Sequence, residues 1–235
     1  MHNREYDFLF NQISRVLVVV AHPDDEVLGC GGTLARMAEI GMTVRIIIVS
    51  EGETARAVTG NEVITARKAA AVNAAKVLGV ESPIFLDFPD QKLDTISLVY
   101  LTQRLERIAA DFSPELVITH SHTDLNADHR IVSDITATAF RPLPGGSCRA
   151  FWSFETPSTT EIGSLYSPMP FVPSIFVDIS RWEGAKLAAL ECYVTESRTA
   201  PHPRSNTAIT ALATWRGATC GQNKSEAFHV HYIRT

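Results

Sequence analysis

The sequence predicts an α/β fold: a mostly parallel sheet with helices on both faces, folded as a single domain over residues 1–235. Two observations carry this expectation. Four short apolar runs are continuous and rich in β-branched residues, as strands buried on both faces are, and do not alternate with polar ones. Each is followed by a stretch of helical periodicity, at roughly 25 to 35 residues per unit, the spacing of βαβ units with right-handed crossovers.

The strands are expected at Val16–Ala21, Val44–Val49, Ile84–Leu86 and Leu116–Thr119. The helices are expected near Thr33–Ile40, Glu62–Leu78, Ile96–Phe112 and Arg130–Phe140, with Gly41 and Gly79 where helix-ending glycines belong. After Arg141 the pattern changes. The turn-rich stretch RPLPGGSCR leads to a strand-like run, Ala150–Glu155, and then to a Ser/Thr/Pro-rich segment through Pro173 that reads as a long surface loop. Ser174–Ile179 reads as a strand, and Arg181–Tyr193 and Thr207–Cys220 as helices. Alternation of this kind makes the fold Rossmann-like.

Composition narrows the function. The 45% hydrophobic and 20% charged fractions are those of a globular protein with a sizeable core. A formal net charge of −5, with no run of Lys or Arg, supplies no electrostatic footprint for nucleic acid. The run Val16–Ala21 is too short to span a bilayer, and MHNREYDFLFNQISR lacks the apolar centre of a secretory signal. Cys30, Cys148, Cys192 and Cys220 form no C-x-x-C pair, so reduced thiols in a cytoplasmic protein are expected.

Ligands of open α/β sheets bind beyond the carboxyl ends of the strands. Two such ends hold most of the chemistry. The first strand runs into His22-Pro23-Asp24-Asp25-Glu26, and the fourth into a loop from Thr119 to His129 that includes His120, His122, Asp124, Asn126 and Asp128. Three consecutive carboxylates repel one another unless a cation offsets them. His22 and Asp25 can converge on one ion from a tight turn, with His129 arriving from the other strand, leaving positions open for water. An acidic first helical turn would account for Asp24-Asp25-Glu26 through the helix dipole alone, worth under about 1 kcal/mol at a surface. The coincidence at two neighbouring strand ends favours the metal. Such a ligand set also holds non-haem iron, so the reaction is not fixed by it. Asp24, beside ligand Asp25, supplies a base within reach of activated water, which points to hydrolysis.

The string AHPDDEVLGCGGTLA after the first strand, with DLNADHR after a later one, resembles the LmbE-like or PIG-L family of zinc-dependent N-deacetylases. VSEGE, FETPSTTE and the PHPRS turn resemble segments of bacterial members acting on amino-sugar derivatives. The resemblance implies Zn2+, with Fe2+ the alternative, on His22, Asp25 and His129, Asp24 as general base and Asp128 as an orienting carboxylate. It further implies a small N-acetylated sugar or conjugate as substrate, a pocket completed by residues 149–206, and a homo-oligomer as a compatible state. Many members carry His where this chain has Asn126, an amide that donates hydrogen bonds but delivers no proton at neutral pH. The proton donor is therefore assigned to His202 or to protonated Asp24. Asn126, Arg204 and Arg67 are the candidate substrate contacts, with a solvated helix face the other reading of Arg67.

Two other readings follow from the same residues. Gly29-Cys30-Gly31-Gly32-Thr33-Leu34-Ala35, with Glu51 about twenty residues on, partly resembles a dinucleotide fingerprint, but its glycines begin too far beyond the strand. Loss of the His at position 126 would also fit a weak or inactive member that binds a sugar or nucleotide-type ligand without turnover.

Overall fold

The computed structural model describes residues 10, 12–55, 60–166 and 169–234; the charged stretch 1–9 lies outside the described residues. The chain folds as β1 (Arg15–Val20), α1 (Asp25–Glu39), β2 (Thr43–Ser50), α2 (Asn61–Leu78), β3 (Ile84–Phe88), α3 (Leu98–Ala110), β4 (Leu116–His120) and α4 (Ala127–Ala139). It continues as β5 (Ala150–Phe154), α5 (Thr160–Tyr166), β6 (Ile175–Asp178), α6 (Glu183–Glu191), α7 (Asn206–Cys220) and β7 (Ser225–Ile233). The seven strands form one sheet in the order β3-β2-β1-β4-β5-β7-β6. Neighbours from β3 to β5 pair in parallel, and β7 runs antiparallel to both β5 and β6.

Alternate residues of the central strands feed two cores, as the two-residue period of a strand requires. Val16, Val18 and Val20 pack with Val27, Leu34 and Met37 of α1, Ala71, Ala74 and Leu78 of α2 and Ala189 of α6. Leu17 and Val19 face the other way, onto Leu101 and Leu105 of α3 and Val132 and Ile135 of α4. Helices thus cover both faces, and the chain is the expected single α/β domain. The order reverses at β1, with β2 on one side and β4 on the other, so the loops after β1 and β4 diverge at a topological switch point.

Three elements depart from expectation. Helix α1 starts at Asp25, eight residues before the expected Thr33, and bends at Cys30 (φ −146°, ψ 17°). Its glycines belong to packing, because a Cβ on Gly29 would lie 2.2 Å from the Phe154 ring and one on Gly32 would lie 2.9 Å from Ile179. Glu226 of β7 accepts the Gly32 and Thr33 amides at the bend (3.0 and 2.7 Å), and Lys186 donates to the Leu28 carbonyl (2.9 Å). A buried carboxylate on those amides leaves no phosphate cradle, which removes the dinucleotide reading. The expected surface loop through Pro173 contains α5, and Ser225–Ile233, read as no element, is the antiparallel strand β7. Among the described residues, no helix is long and apolar enough to cross a membrane.

The Gly29 contact yields a direct test. Gly29→Ala forces the Phe154 ring or the helix to move, and an overpacked core residue costs about 1–3 kcal/mol. Chemical denaturation should show a lower midpoint with an unchanged slope.

Candidate active site

Parallel pairing of β1 with β4 sets the loop after Val20 beside the loop after His120. The first loop turns at once into α1, so Asp25 and Glu26 are both the acidic first turn of a helix and the floor of a buried site. Asn126 caps α4, its Oδ1 accepting from the Asp128 amide at 2.9 Å, and so brings Asp128 and His129 to the same place.

His22, Asp25 and His129 meet there. His22 Nδ1 lies 3.3 Å from His129 Nε2 and 3.2 Å from Asp25 Oδ2, and His129 Nε2 lies 3.3 Å from that same oxygen. A near-equilateral triangle of this size is the spacing that bonds of about 2.0–2.1 Å in a tetrahedral site require. All three residues are buried, and Asp25 Oδ1 has no hydrogen-bond partner among the described residues. The donor set fits a divalent ion.

Each imidazole is held from behind. His22 Nε2 faces Asp90 Oδ1 at 3.1 Å and Asp128 Oδ2 at 3.3 Å, and His129 Nδ1 faces Asp124 Oδ1 at 3.2 Å. Carboxylates behind the ring fix its orientation and leave the other nitrogen free for a metal. Asp128 also accepts the Gln91 and Leu93 amides (2.8 and 3.3 Å), which places it behind His22 rather than against a substrate. His120 stacks on His129 with centroids 4.0 Å apart, and its Nε2 accepts the Ala21 amide at 2.9 Å.

The charges compensate one another. Burial alone would lower the His129 pKa, but Asp25 and Asp124 raise it to about 9. Burial likewise opposes the charge on His22, and Asp128, Asp25 and Asp90 prevail, raising it well above the usual imidazole range. Asp25, pushed up by burial, is drawn well below the carboxylate range by His129 and His120. Burial and the neighbouring His129 hold His120 down at about 3, so it stays neutral.

Asp24 adopts φ 117°, a left-handed backbone rarely taken by a non-glycine residue and typical of functional sites. Its carboxylate Oδ2 lies 3.1 Å from Arg204 Nη1 and 3.5 Å from Arg67 Nη2. Burial raises its pKa to about 6 against the pull of both guanidiniums. Its amide donates to Glu26 Oε2 (3.1 Å), and Glu26 Oε1 accepts from the Tyr193 hydroxyl. Burial raises Glu26 to about 7.

The remaining sequence candidates separate. Arg204 reaches Asp24 and borders a cleft lined also by Tyr193, Glu196, Ser197 and Asn206. Arg67 is buried, not on a solvated helix face, and donates to the Pro23 carbonyl, Glu53 and Glu196 at 2.8–3.2 Å. It therefore braces the Asp24 loop. His202 is exposed, and its Nδ1 accepts the Arg204 amide at 3.1 Å. Asp90, Asp124, His120, Tyr193 and Glu196 complete the site without a role assigned to them from sequence, and Glu26 is the third carboxylate of the first loop. Asp124 and His120 stood in the loop already under suspicion, whereas Asp90, Tyr193 and Glu196 arrive from distant segments and carry no local signal.

Fold and site together define an α/β protein with a buried two-histidine, one-aspartate group that could hold a metal ion at its switch point. The chain belongs to the PIG-L family, whose description, GlcNAc-PI de-N-acetylase, matches residues 17–140. An uncharacterized deacetylase, YaiS, of Escherichia coli (strain K12) is 30% identical over 77% of this chain and 91% of its own length. Diacetylchitobiose deacetylase of Thermococcus kodakarensis is 27% identical over 80% of this chain and 72% of its own. Among solved structures, a 4-carboxy-2-hydroxymuconate hydratase from Pseudomonas putida KT2440 superposes with a TM-score of 0.75 at 24% identity, covering 95% of this chain and 98% of that one. The fold is thus shared by deacetylases and a hydratase.

Asp128→Asn should weaken metal binding about 10- to 100-fold, the usual effect of removing a carboxylate behind a ligating histidine. Competition with a chromophoric chelator measures it, and an unchanged affinity would refute the support assigned to Asp128.

Proposed function

We propose that this chain is a zinc-dependent hydrolase that removes the acetyl group from an N-acetylated sugar or glycoconjugate. One observation carries the reading: a buried carboxylate, Asp24, stands next in sequence to Asp25 of a metal-shaped ligand triangle and lines a small cleft with Arg204 and Tyr193. Its relatives' substrates support the amino-sugar class.

His22, Asp25 and His129 would hold the ion, which when bound would supply Lewis acidity towards a carbonyl and lower the pKa of water towards about 7. Asp24 removes the proton of the attacking water and returns it to the leaving amine, so that acetamide and water become acetate and a free amine. Arg204 and Arg67 hold the Asp24 carboxylate in one orientation, and Arg204 borders the cleft in which a sugar hydroxyl would sit. Asn126 serves as the cap of α4, and no proton is routed through it. His202, exposed and turned onto its own backbone, is left out of the proton path. The whole chain acts as one domain, with residues 149–206 completing the pocket through Ser158, Glu196 and Arg204. Fe2+ remains the alternative metal for this donor set.

Metal content of the purified protein, with acetate release from N-acetylglucosamine and its conjugates, tests the reading. Asp24→Asn should lower kcat by about 10²- to 10⁴-fold, the contribution of a positioned general base, and leave metal content unchanged. His202→Ala should keep kcat within about twofold, as an exposed substitution does. Binding of sugars without acetate release would favour the non-catalytic reading. Hydration of 4-carboxy-2-hydroxymuconate in place of acetate release would assign the chain to the hydratase chemistry of a neighbour in fold.

A further inference from the structure

The FETPSTTE segment, together with the α5 helix it enters, touches both chemical ends of the site. At the metal end, Thr159 Oγ1 and Thr160 Oγ1 donate to the same Asp124 oxygen at 2.9 and 2.5 Å, while the other Asp124 oxygen faces His129. Thr160 Oγ1 also accepts the Thr156 amide at 2.8 Å, and Thr156 Oγ1 lies 3.2 Å from His120 Nδ1. At the base end, Ser158 Oγ accepts from Arg204 Nε at 2.8 Å, and the same guanidinium reaches Asp24 through Nη1. Ser158 has φ 81°, and its amide is tied to Glu161 Oε1 at 2.7 Å. The backbone is pressed against the ligand loop as well: Leu125 N donates to Thr159 O, and a Cβ on Gly163 would lie 2.4 Å from the Thr123 carbonyl.

Thr156 and Thr160 are buried, so these hydroxyls work in surroundings where a hydrogen bond to a charged group is strong and a missing one is costly. A carboxylate oriented by two hydroxyls cannot swing away from the imidazole behind which it stands. Ser158, next in sequence to Thr159, holds the guanidinium that reaches Asp24.

We infer that Thr159 and Thr160 are positioning residues for the metal ligand His129, acting through Asp124, and that Ser158 is a positioning residue for the base Asp24, acting through Arg204. One short segment thereby sets the metal and the base relative to each other. The inference rests on the metal and base assignments proposed above.

The two arms of the segment should separate by measurement. Metal-free protein is titrated with zinc against a chromophoric chelator, and kcat and KM for acetate release are measured at saturating zinc. Thr160→Val should weaken zinc binding by up to about 10-fold, the lower end of the effect of losing a partner bonded directly to a ligand, with recovery in Thr160→Ser. Thr159→Val, which removes one hydroxyl from the same carboxylate, should act in the same direction and serves if Thr160→Val does not fold, as judged by circular dichroism. Ser158→Ala should leave zinc affinity at the wild-type value and lower kcat more than it alters KM. Folded Thr160→Val and Thr159→Val proteins with wild-type zinc affinity would overturn the metal arm, and Ser158→Ala with wild-type kcat would overturn the base arm. Failure of the wild-type protein itself to take up zinc would instead reject the ligand assignment, and the inference with it.

Discussion

The buried charge at the β1–β4 switch point is the constraint on which the rest of this molecule depends. Asp24, Asp25, Asp90, Asp124 and Asp128 are all buried around His22, His120 and His129. Unpaired carboxylates in such a place would be strongly destabilising, so each must be matched. The matching is specific: Asp25 stands between two imidazoles, each imidazole has a second carboxylate behind it, and Asp24 lies against two guanidiniums. Without an ion, protons on the histidines do this work. With one, the same triangle offers two nitrogens and an oxygen at metal spacing, and the carboxylates behind the rings keep the rings aimed.

Fold and charge are coupled through close packing. The ligand turn must pass from β1 into α1 within a few residues, and α1 must lie tight on the sheet for Asp25 to reach β4's loop. Gly29 against Phe154 and Gly32 against Ile179 allow that approach. The bend at Cys30 frees backbone groups, and Glu226 and Lys186, paired with each other, satisfy them from β7 and α6. Late-sequence elements therefore hold an early-sequence helix in place. A chain truncated before β7 would lose that support together with two strands' worth of edge pairing.

The legible part of this structure is the part written locally. The β-branched runs Val16–Ala21 and Val44–Val49 announce buried parallel strands because both faces are covered, and the loops after the first and fourth strands concentrate carboxylates and imidazoles that a cation would reconcile. His22, Asp25 and His129 were legible for that reason. The start of α1 was not, because GCGG resembles a loop until Phe154 and Ile179 are seen to require it. β7 was missed since its histidines interrupt an apolar pattern that only pairing with β5 and β6 explains. Arg67 reads in the sequence as a substrate contact or as one face of a solvated helix, and nothing near it in sequence announces Glu53, Glu196 or the Pro23 carbonyl. Asp90 is likewise a site residue only because a turn after β3 returns to His22.

Asn126 shows how a change at one position can serve the fold and shift the chemistry together. The family resemblance places a proton-delivering histidine there. Asparagine is among the strongest helix N-caps, stronger than an imidazole, and its Oδ1 takes the Asp128 amide at the start of the helix that carries both Asp128 and His129. The cap thus fastens the backbone that carries Asp128 and His129. An amide here adds no ionisable group to a site already crowded with them. In the proposed reaction, proton delivery therefore falls to a group already in the site. Asp24 is the carboxylate that borders the cleft, and the two arginines beside it favour its ionised form while burial favours the protonated one, which leaves its pKa at about 6.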